Sequence, residues 1–192
     1  PGTYTVTEND PGTEWTVVGD DFAFELLKKL ASGSATVTNT RNLGGLEVTK
    51  TVNWNDVEPD ASQTFTICIT GPSYPQGDCQ TIGYQGGVLT WTNLIPGTYT
   101  VTENDPGTEW TVVVDDSGAI VPADGGSGSA TVTNTRNLGG LRVTKIVNWN
   151  DVEPDASQTF TICITGPSYE IPNCKTIGYQ GGVLTWTNLI PG

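Results

Sequence analysis

The amino-acid sequence repeats itself with a period of 95 residues. Residues 1–45 closely match residues 96–140, and residues 46–97 closely match residues 141–192. A segment of this length suits one small domain, so the repetition predicts one domain per period. We therefore expect a complete repeat at 46–140, which includes a short linker. A leading half-repeat at 1–45 is the C-terminal half of such a repeat, and a trailing half-repeat at 141–192 is the N-terminal half.

Short apolar runs bounded by turn residues predict an all-β fold. The clearest strand runs from 46 to 54, where Leu46, Val48 and Trp54 fall on one face at period two. The pair Gly86-Gly87 between two later runs is typical of a hairpin turn. Several such strands in a segment of this length predict an immunoglobulin-like β-sandwich in each repeat.

The charge of the chain excludes several classes of function. The formal net charge is -13, which argues against a nucleic-acid partner or an anionic membrane surface, because both require concentrated Lys and Arg. No apolar run is long enough for membrane insertion. The chain has no His, no nucleophile elbow and no phosphate loop, so we do not expect an enzyme with turnover.

Four cysteines occur as two copies of one spacing, Cys68 with Cys79 and Cys163 with Cys174. The repeated spacing, with no His nearby, favours disulfide bonds over a metal site and indicates an oxidising, extracellular compartment. Reduced thiols are the alternative.

A turn with three carboxylates is the one candidate metal site in the sequence. Asp56, Glu58 and Asp60 could bind calcium, but the turn lacks the spacing and the glycine of an EF-hand loop. A solvated turn is favoured, and we expect neither a metal nor a cofactor.

Residues 21–31 differ from their counterpart in the complete repeat and predict a short helix. Asp21 can cap it, Glu25 and Lys29 are four residues apart, and Gly33 can end it. The helix would present an apolar set to another copy of the chain or to an unknown protein ligand. That candidate partner-binding set is Phe22, Phe24, Leu26, Leu27 and Leu30.

Three predicted strands each carry one polar residue on an apolar face. Lys50 shares a face with Val48, Glu103 follows Val101 at period two, and Asn134 follows Val132 in the same way. Burying an isolated ammonium or carboxylate costs several kcal/mol or more, so these groups need partners.

Two arrangements satisfy that need. In one, Lys50 and Glu103 form a buried ion pair and Asn134 adds a hydrogen bond. In the other, burial favours the neutral forms of an amine and a carboxyl, and the lysine amine attacks the side-chain carbonyl of Asn134. Glu103 relays protons, ammonia departs, and an amide joins the first strand to the last.

These residues resemble the B-type repeat domains of collagen-adhesin surface proteins. The matching motifs are Val48-Thr49-Lys50 followed by Trp54, the run Gly97-Thr-Tyr-Thr-Val-Thr-Glu103, and Val132-Thr-Asn134. The resemblance implies a prealbumin-like β-sandwich, a role as a stalk module in bacterial adhesins and pilins, and a Lys–Asn isopeptide bond with a catalytic Glu. The implied site is Lys50, Glu103 and Asn134 in the complete repeat, Glu8 and Asn39 in the leading half-repeat, and Lys145 in the trailing one.

The leading hypothesis is therefore a structural repeat of an extracellular stalk, pilus or fibre, stabilised by self-catalysed isopeptide bonds and disulfides. The half-repeats could complete each other between chains, with Lys145 joined to Asn39 beside Glu8. They could also close within one chain, or belong to a longer array. The competing hypothesis is a binding module that presents the 21–31 helix.

Overall fold

The structure, a computed structural model, describes residues 2–19 and 32–191 and the backbone of residues 22–26. Within these residues it contains strands and no helix, which confirms the all-β prediction. None of the described elements is a helix that could cross a membrane.

The strands follow the order of the repeats. The leading half-repeat contains β1 (Gly2–Val6), β2 (Trp15–Val18), β3 (Phe22–Leu26) and β4 (Thr38–Arg41). The next nine strands are β5 (Gly44–Asn53), β6 (Thr64–Gly71), β7 (Tyr74–Gly83), β8 (Gly87–Leu94), β9 (Gly97–Thr98), β10 (Thr100–Glu103), β11 (Trp110–Asp115), β12 (Ile120–Val121) and β13 (Ser127–Arg136). The last four are β14 (Gly139–Lys145), β15 (Thr159–Gly166), β16 (Tyr169–Gly178) and β17 (Gly182–Leu189).

The chain groups into two compact units. The first comprises residues up to Val52, Asp60–Asp105 and Val112–Thr133. The second comprises Asn53–Pro59, Pro106–Thr111 and the residues from Asn134 onward.

Two sheets enclose the core of the first unit. One has the strand order β11-β13-β5-β8 and the other has the order β10-β6-β7. Leu46 and Val48 of β5 pack in one cluster with Ile67 and Ile69 of β6, and all four side chains are fully buried. Burial of apolar side chains from facing sheets is what holds a β-sandwich together.

Both predicted disulfides are present. Cys68 pairs with Cys79 across the β6–β7 hairpin, and Cys163 pairs with Cys174 across the β15–β16 hairpin. Cys68 lies on the face of β6 opposite the buried Ile67, so the bond joins the two strands on the outer side of the sheet. In the second unit, strands β15, β16 and β17 begin 95 residues after β6, β7 and β8 and have the same lengths.

The helix predicted over 21–31 is wrong where the structure can be compared with it. Residues Phe22–Leu26 form strand β3, which is antiparallel to β1 with Thr3 opposite Glu25. The corresponding residues of the complete repeat pair in the same register, with Thr98 opposite Ile120. A cap and one pair of charges four residues apart contribute only about 1 kcal/mol, which strand pairing to β1 can override.

The proposed partner-binding set cannot be placed in this structure. The side chains of Phe22, Phe24 and Leu26, and the whole of Leu27 and Leu30, lie outside the described residues.

Candidate functional site

Lys50 lies on the buried face of β5. Burial alternates along this strand, so that Leu46, Val48 and Lys50 point inward, and Lys50 is only 2% exposed. On the neighbouring strand it is opposite Gly87. The adjacent Gly86 has φ of 73°, and a Cβ on it would come within 2.3 Å of the Lys50 carbonyl oxygen. The end of the β7–β8 turn can thus approach the backbone of Lys50 closely because residue 86 is a glycine.

Glu103 is the hydrogen-bond partner of Lys50. The Lys50 ammonium donates a hydrogen bond to Glu103 Oε1 over 2.9 Å, and the two side chains are 0% and 1% exposed. Strand β10 places Glu103 opposite Ile67 of β6. Just past the strand end, the Asn104 amide donates to the Thr66 carbonyl. The carboxylate is therefore held by the same sheet that supplies the facing half of the core.

Phe65 completes the surroundings of the amine. Its ring centroid is 4.4 Å from Lys50 Nζ, and its side chain is 1% exposed. A cation held over an aromatic face is stabilised electrostatically, so Phe65 and Glu103 compensate part of the cost of burying the ammonium. No motif in the sequence marks Phe65 as a site residue, although its inward position on β6 follows from the alternation of that strand.

Burial dominates the electrostatics of the site. Removal of the ammonium from water lowers the pKa of Lys50 below its ordinary value, and the hydrogen bond and charge of Glu103 offset this only in part. A lowered pKa increases the fraction of neutral amine, which is the nucleophilic form.

Asn134 is fully buried on strand β13. It follows Ala130 and Val132 on the inward face of that strand, and its exposed fraction is 0%. In the sheet, β13 is the direct neighbour of β5. A primary amide excluded from water in this way is available as an electrophile only to groups that are also buried.

The leading half-repeat contains the corresponding glutamate and asparagine. Asn39 Nδ2 donates to Glu8 Oε1 over 2.6 Å. Asn39 lies on β4, opposite Val17 of β2, and its side chain is exposed. The acid and the amide are thus held together here at the surface.

The trailing half-repeat contains the corresponding lysine. Lys145 ends β14, and its Nζ lies 4.5 Å from the centroid of the Phe160 ring, as Lys50 lies over Phe65. A groove of about 430 Å³ adjoins this lysine and is also lined by Phe160 and Trp149.

The acidic turn at 56–60 has a local role. The Asp60 carboxylate accepts hydrogen bonds from the Ser62 amide and hydroxyl at 2.8 and 2.7 Å, which lower its pKa. Over the part of the chain that the structure describes, no three metal-ligating side chains cluster.

Comparisons with known proteins give similar solved structures and one family. No curated protein matches the chain. A bacterial adhesin from Mobiluncus mulieris, described as containing intramolecular disulfide, isopeptide and ester bond cross-links, is 16% identical with a TM-score of 0.40. The match covers 65% of this chain and 54% of the adhesin. The Bacillus anthracis TIE protein is 18% identical with a TM-score of 0.48, over 81% of this chain and 28% of that protein.

The chain thus spans about half of the first protein and little more than a quarter of the second. In sequence, residues 46–137, which are nearly the whole complete repeat, match the model of the family described as "Domain of unknown function (DUF5979)".

Proposed function

We propose that the complete repeat is a structural module of an extracellular stalk, pilus or fibre, locked by an isopeptide bond between Lys50 and Asn134. The observation that carries this proposal is the contact between Lys50 and Glu103, 2.9 Å long and closed to solvent on both sides. A buried ion pair alone is weak support for stability, because desolvation of two charges offsets their attraction. If the buried amide of Asn134 on the neighbouring strand β13 is within reach of this pair, the pair is suited to moving a proton during attack on that amide.

The reaction uses only groups of this chain. Lys50 passes a proton to Glu103, and the neutral amine attacks Cγ of Asn134. Glu103 donates to the amide oxygen and then to the departing nitrogen. The Nζ–Cγ bond forms and the Cγ–Nδ2 bond breaks. Lysine keeps one of its three ammonium protons, and the other two leave with the amide nitrogen as ammonium. Glu103 is again a carboxylate at the end.

The position of the bond explains its use. It would join β5 to β13, which are the first and last long strands of the complete repeat and neighbours in one sheet. Tension at the two ends of a repeat acts first on its terminal strands. A covalent bond between them resists their separation and slows unfolding. The two disulfides fit the same oxidising, extracellular setting.

The test is the intact mass of the reduced chain. We expect the mass to be lower than that of the sequence by one ammonia for the complete repeat, and Glu103→Ala to restore it. The matched control is Glu47→Ala, which removes an exposed carboxylate from the outer face of the same strand as Lys50. If the wild-type chain has the full sequence mass, the ion-pair arrangement holds and the isopeptide proposal is wrong.

A further inference from the structure

Each repeat is joined to the next by a connection of two residues. Asn42 and Leu43 separate β4 from β5, and Asn137 and Leu138 separate β13 from β14. A connection between two repeats can act as a hinge unless its backbone is anchored. The contacts of the two asparagines therefore decide how it behaves.

Asn42 is anchored to the leading half-repeat through its backbone and through both ends of its side-chain amide. Its backbone N–H donates to the Glu14 carbonyl oxygen over 2.8 Å. Its side-chain nitrogen donates to the Thr13 carbonyl oxygen over 2.9 Å, and its side-chain oxygen accepts from the Thr16 hydroxyl over 2.6 Å. The donor and the acceptor of the asparagine side chain are thus both used to fix it to the start of β2.

Asn137 makes the same three contacts in the complete repeat. Its backbone N–H donates to the Glu109 carbonyl oxygen over 2.8 Å, and its side-chain nitrogen donates to the Thr108 carbonyl oxygen over 3.1 Å. The Thr111 hydroxyl donates to its side-chain oxygen over 2.6 Å. All of these residues belong to the second compact unit. An arrangement that occurs at both connections is a property of the repeat rather than of one place in the chain.

The arginine that precedes each asparagine packs on the same segment. Arg41 Cζ lies 5.4 Å from the centroid of the Trp15 ring, and its guanidinium forms an ion pair with Glu14. Arg136 Cζ likewise lies 5.4 Å from the centroid of the Trp110 ring. A guanidinium over an aromatic face is stabilised electrostatically. The last residue of the strand and the first residue of the connection are therefore held by one segment.

The complete repeat contacts the first connection from the other side. The Gly45 amide donates to the Gly126 carbonyl oxygen over 3.2 Å. Gly125 has φ of 88°, and a Cβ on it would lie 3.0 Å from the Leu43 carbonyl oxygen and 3.6 Å from Asn42 Cβ. All of these residues belong to the first compact unit. Asn42 therefore touches both of the repeats that it joins.

We propose that Asn42 and Asn137 fix the joints between consecutive repeats, so that each repeat enters the next at a set angle rather than through a hinge. A stalk with such joints resists bending, whereas the cross-link at Lys50 acts within one repeat. The role in a stalk rests on the proposed function. The fixed joint itself depends only on the contacts of the connection and does not require the cross-link.

The first joint is tested by the distance between two spin labels in the full chain, measured by pulsed electron paramagnetic resonance. The labelled positions are Val18→Cys in the leading half-repeat and Val88→Cys in the complete repeat, whose side chains are both exposed. The four native cysteines are paired, so only the introduced ones take a label. We expect a single narrow distance peak. Asn42→Ala should replace it with a broad distribution, because an unanchored connection behaves as a flexible tether.

Two further variants make this test specific. Asn9→Ala is the matched control, since it removes an exposed asparagine from the loop between β1 and β2 and should leave the peak narrow. Thr16→Val removes only one of the anchors and should broaden the peak less than Asn42→Ala does. A broad distribution in the unmodified joint, or a peak that stays narrow in both Asn42→Ala and Thr16→Val, would overturn the proposal. The intact mass that tests the cross-link is a separate readout, so either proposal can fail without the other.

The second joint is tested by amide hydrogen exchange. We expect the Asn137 amide to be protected, and Thr111→Val to speed its exchange about fivefold, because one hydrogen bond of the anchored state is lost. The control is Thr131→Val on the exposed face of β13, which should leave the rate unchanged. An Asn137 amide that exchanges as fast as that of an unstructured chain, or a rate that Thr111→Val does not change, would contradict the fixed joint.

Discussion

At the level of single residues, the proposed cross-link depends on one lysine that is out of contact with water. Lys50 is buried against Glu103 and the Phe65 ring, and burial lowers its pKa. The sequence alone predicted that Lys50, Glu103 and Asn134 would lie on inward faces, since alternation along a strand settles this locally. It also predicted that Lys50 would lie beside Glu103, whereas the 2.9 Å distance follows from how the β10 register aligns with β6.

The lowered pKa predicts how stability depends on pH when the isopeptide bond is blocked. In Asn134→Ala, Lys50 stays a free amine, and between its lowered pKa and the ordinary value of 10.5 the unfolded chain binds more protons than the folded one. The free energy of unfolding contributed by Lys50 therefore rises with pH through that window and is level below and above it. Urea unfolding across the alkaline range measures this. Adding Lys50→Met should remove the slope, and a slope that persists would assign it to another group.

At the scale of elements, short-range patterns predicted most strands and both disulfides, and they failed at residues 22–26. The alternation that marked β5 and β6 is a property of adjacent residues, and the cysteines face each other because the β6–β7 register is set by one hairpin. At 22–26 the local helix signals competed with pairing to β1, which is remote in sequence, and the pairing prevailed. The prediction was wrong because it weighed only neighbours in the sequence.

The turn between β7 and β8 offers a test at this scale. Gly86→Ala should destabilise the complete repeat by about 1–3 kcal/mol, because its φ is 73° and the new Cβ would meet the Lys50 carbonyl oxygen. Gly83→Ala is the matched control, since a Cβ there has nothing within 4 Å and no positive φ is involved. Denaturant unfolding of both variants measures the difference. Equal stability of the two would mean that the turn can shift away from β5.

At the scale of the whole molecule, the 95-residue repetition lets the complete repeat serve as an internal reference for its two halves. Residues that the complete repeat buries, such as Tyr99 and Leu46, are exposed as Tyr4 and Leu141 in the half-repeats. Sequence identity between repeats cannot reveal this difference in exposure, because the exposed fraction of a residue depends on which strands cover its face of the sheet. The same residue type is therefore buried or exposed according to which strands cover it.

A force measurement tests the proposed lock on the complete repeat. Under tension at the two ends of the chain in reducing buffer, an isopeptide bond between Lys50 and Asn134 shields the residues between them from extension. Glu103→Ala should therefore lengthen the fully extended chain by on the order of 300 Å, at up to about 3.6 Å per freed residue. Single-molecule force spectroscopy measures the contour length directly. Identical lengths for wild type and variant would mean that no such bond is present.

The amino-acid sequence was enough to predict the period, the all-β class and the inward faces of Lys50, Glu103 and Asn134, and it favoured the observed pairing of the cysteines. Each of these features depends on residues that are close in the chain or on direct repetition of the amino-acid sequence. Contacts between distant segments were needed to show that the Phe65 ring lies beside the lysine amine and that residues 22–26 form a strand. These features arise where segments remote in sequence meet, and there the register and packing of whole sheets determine the outcome.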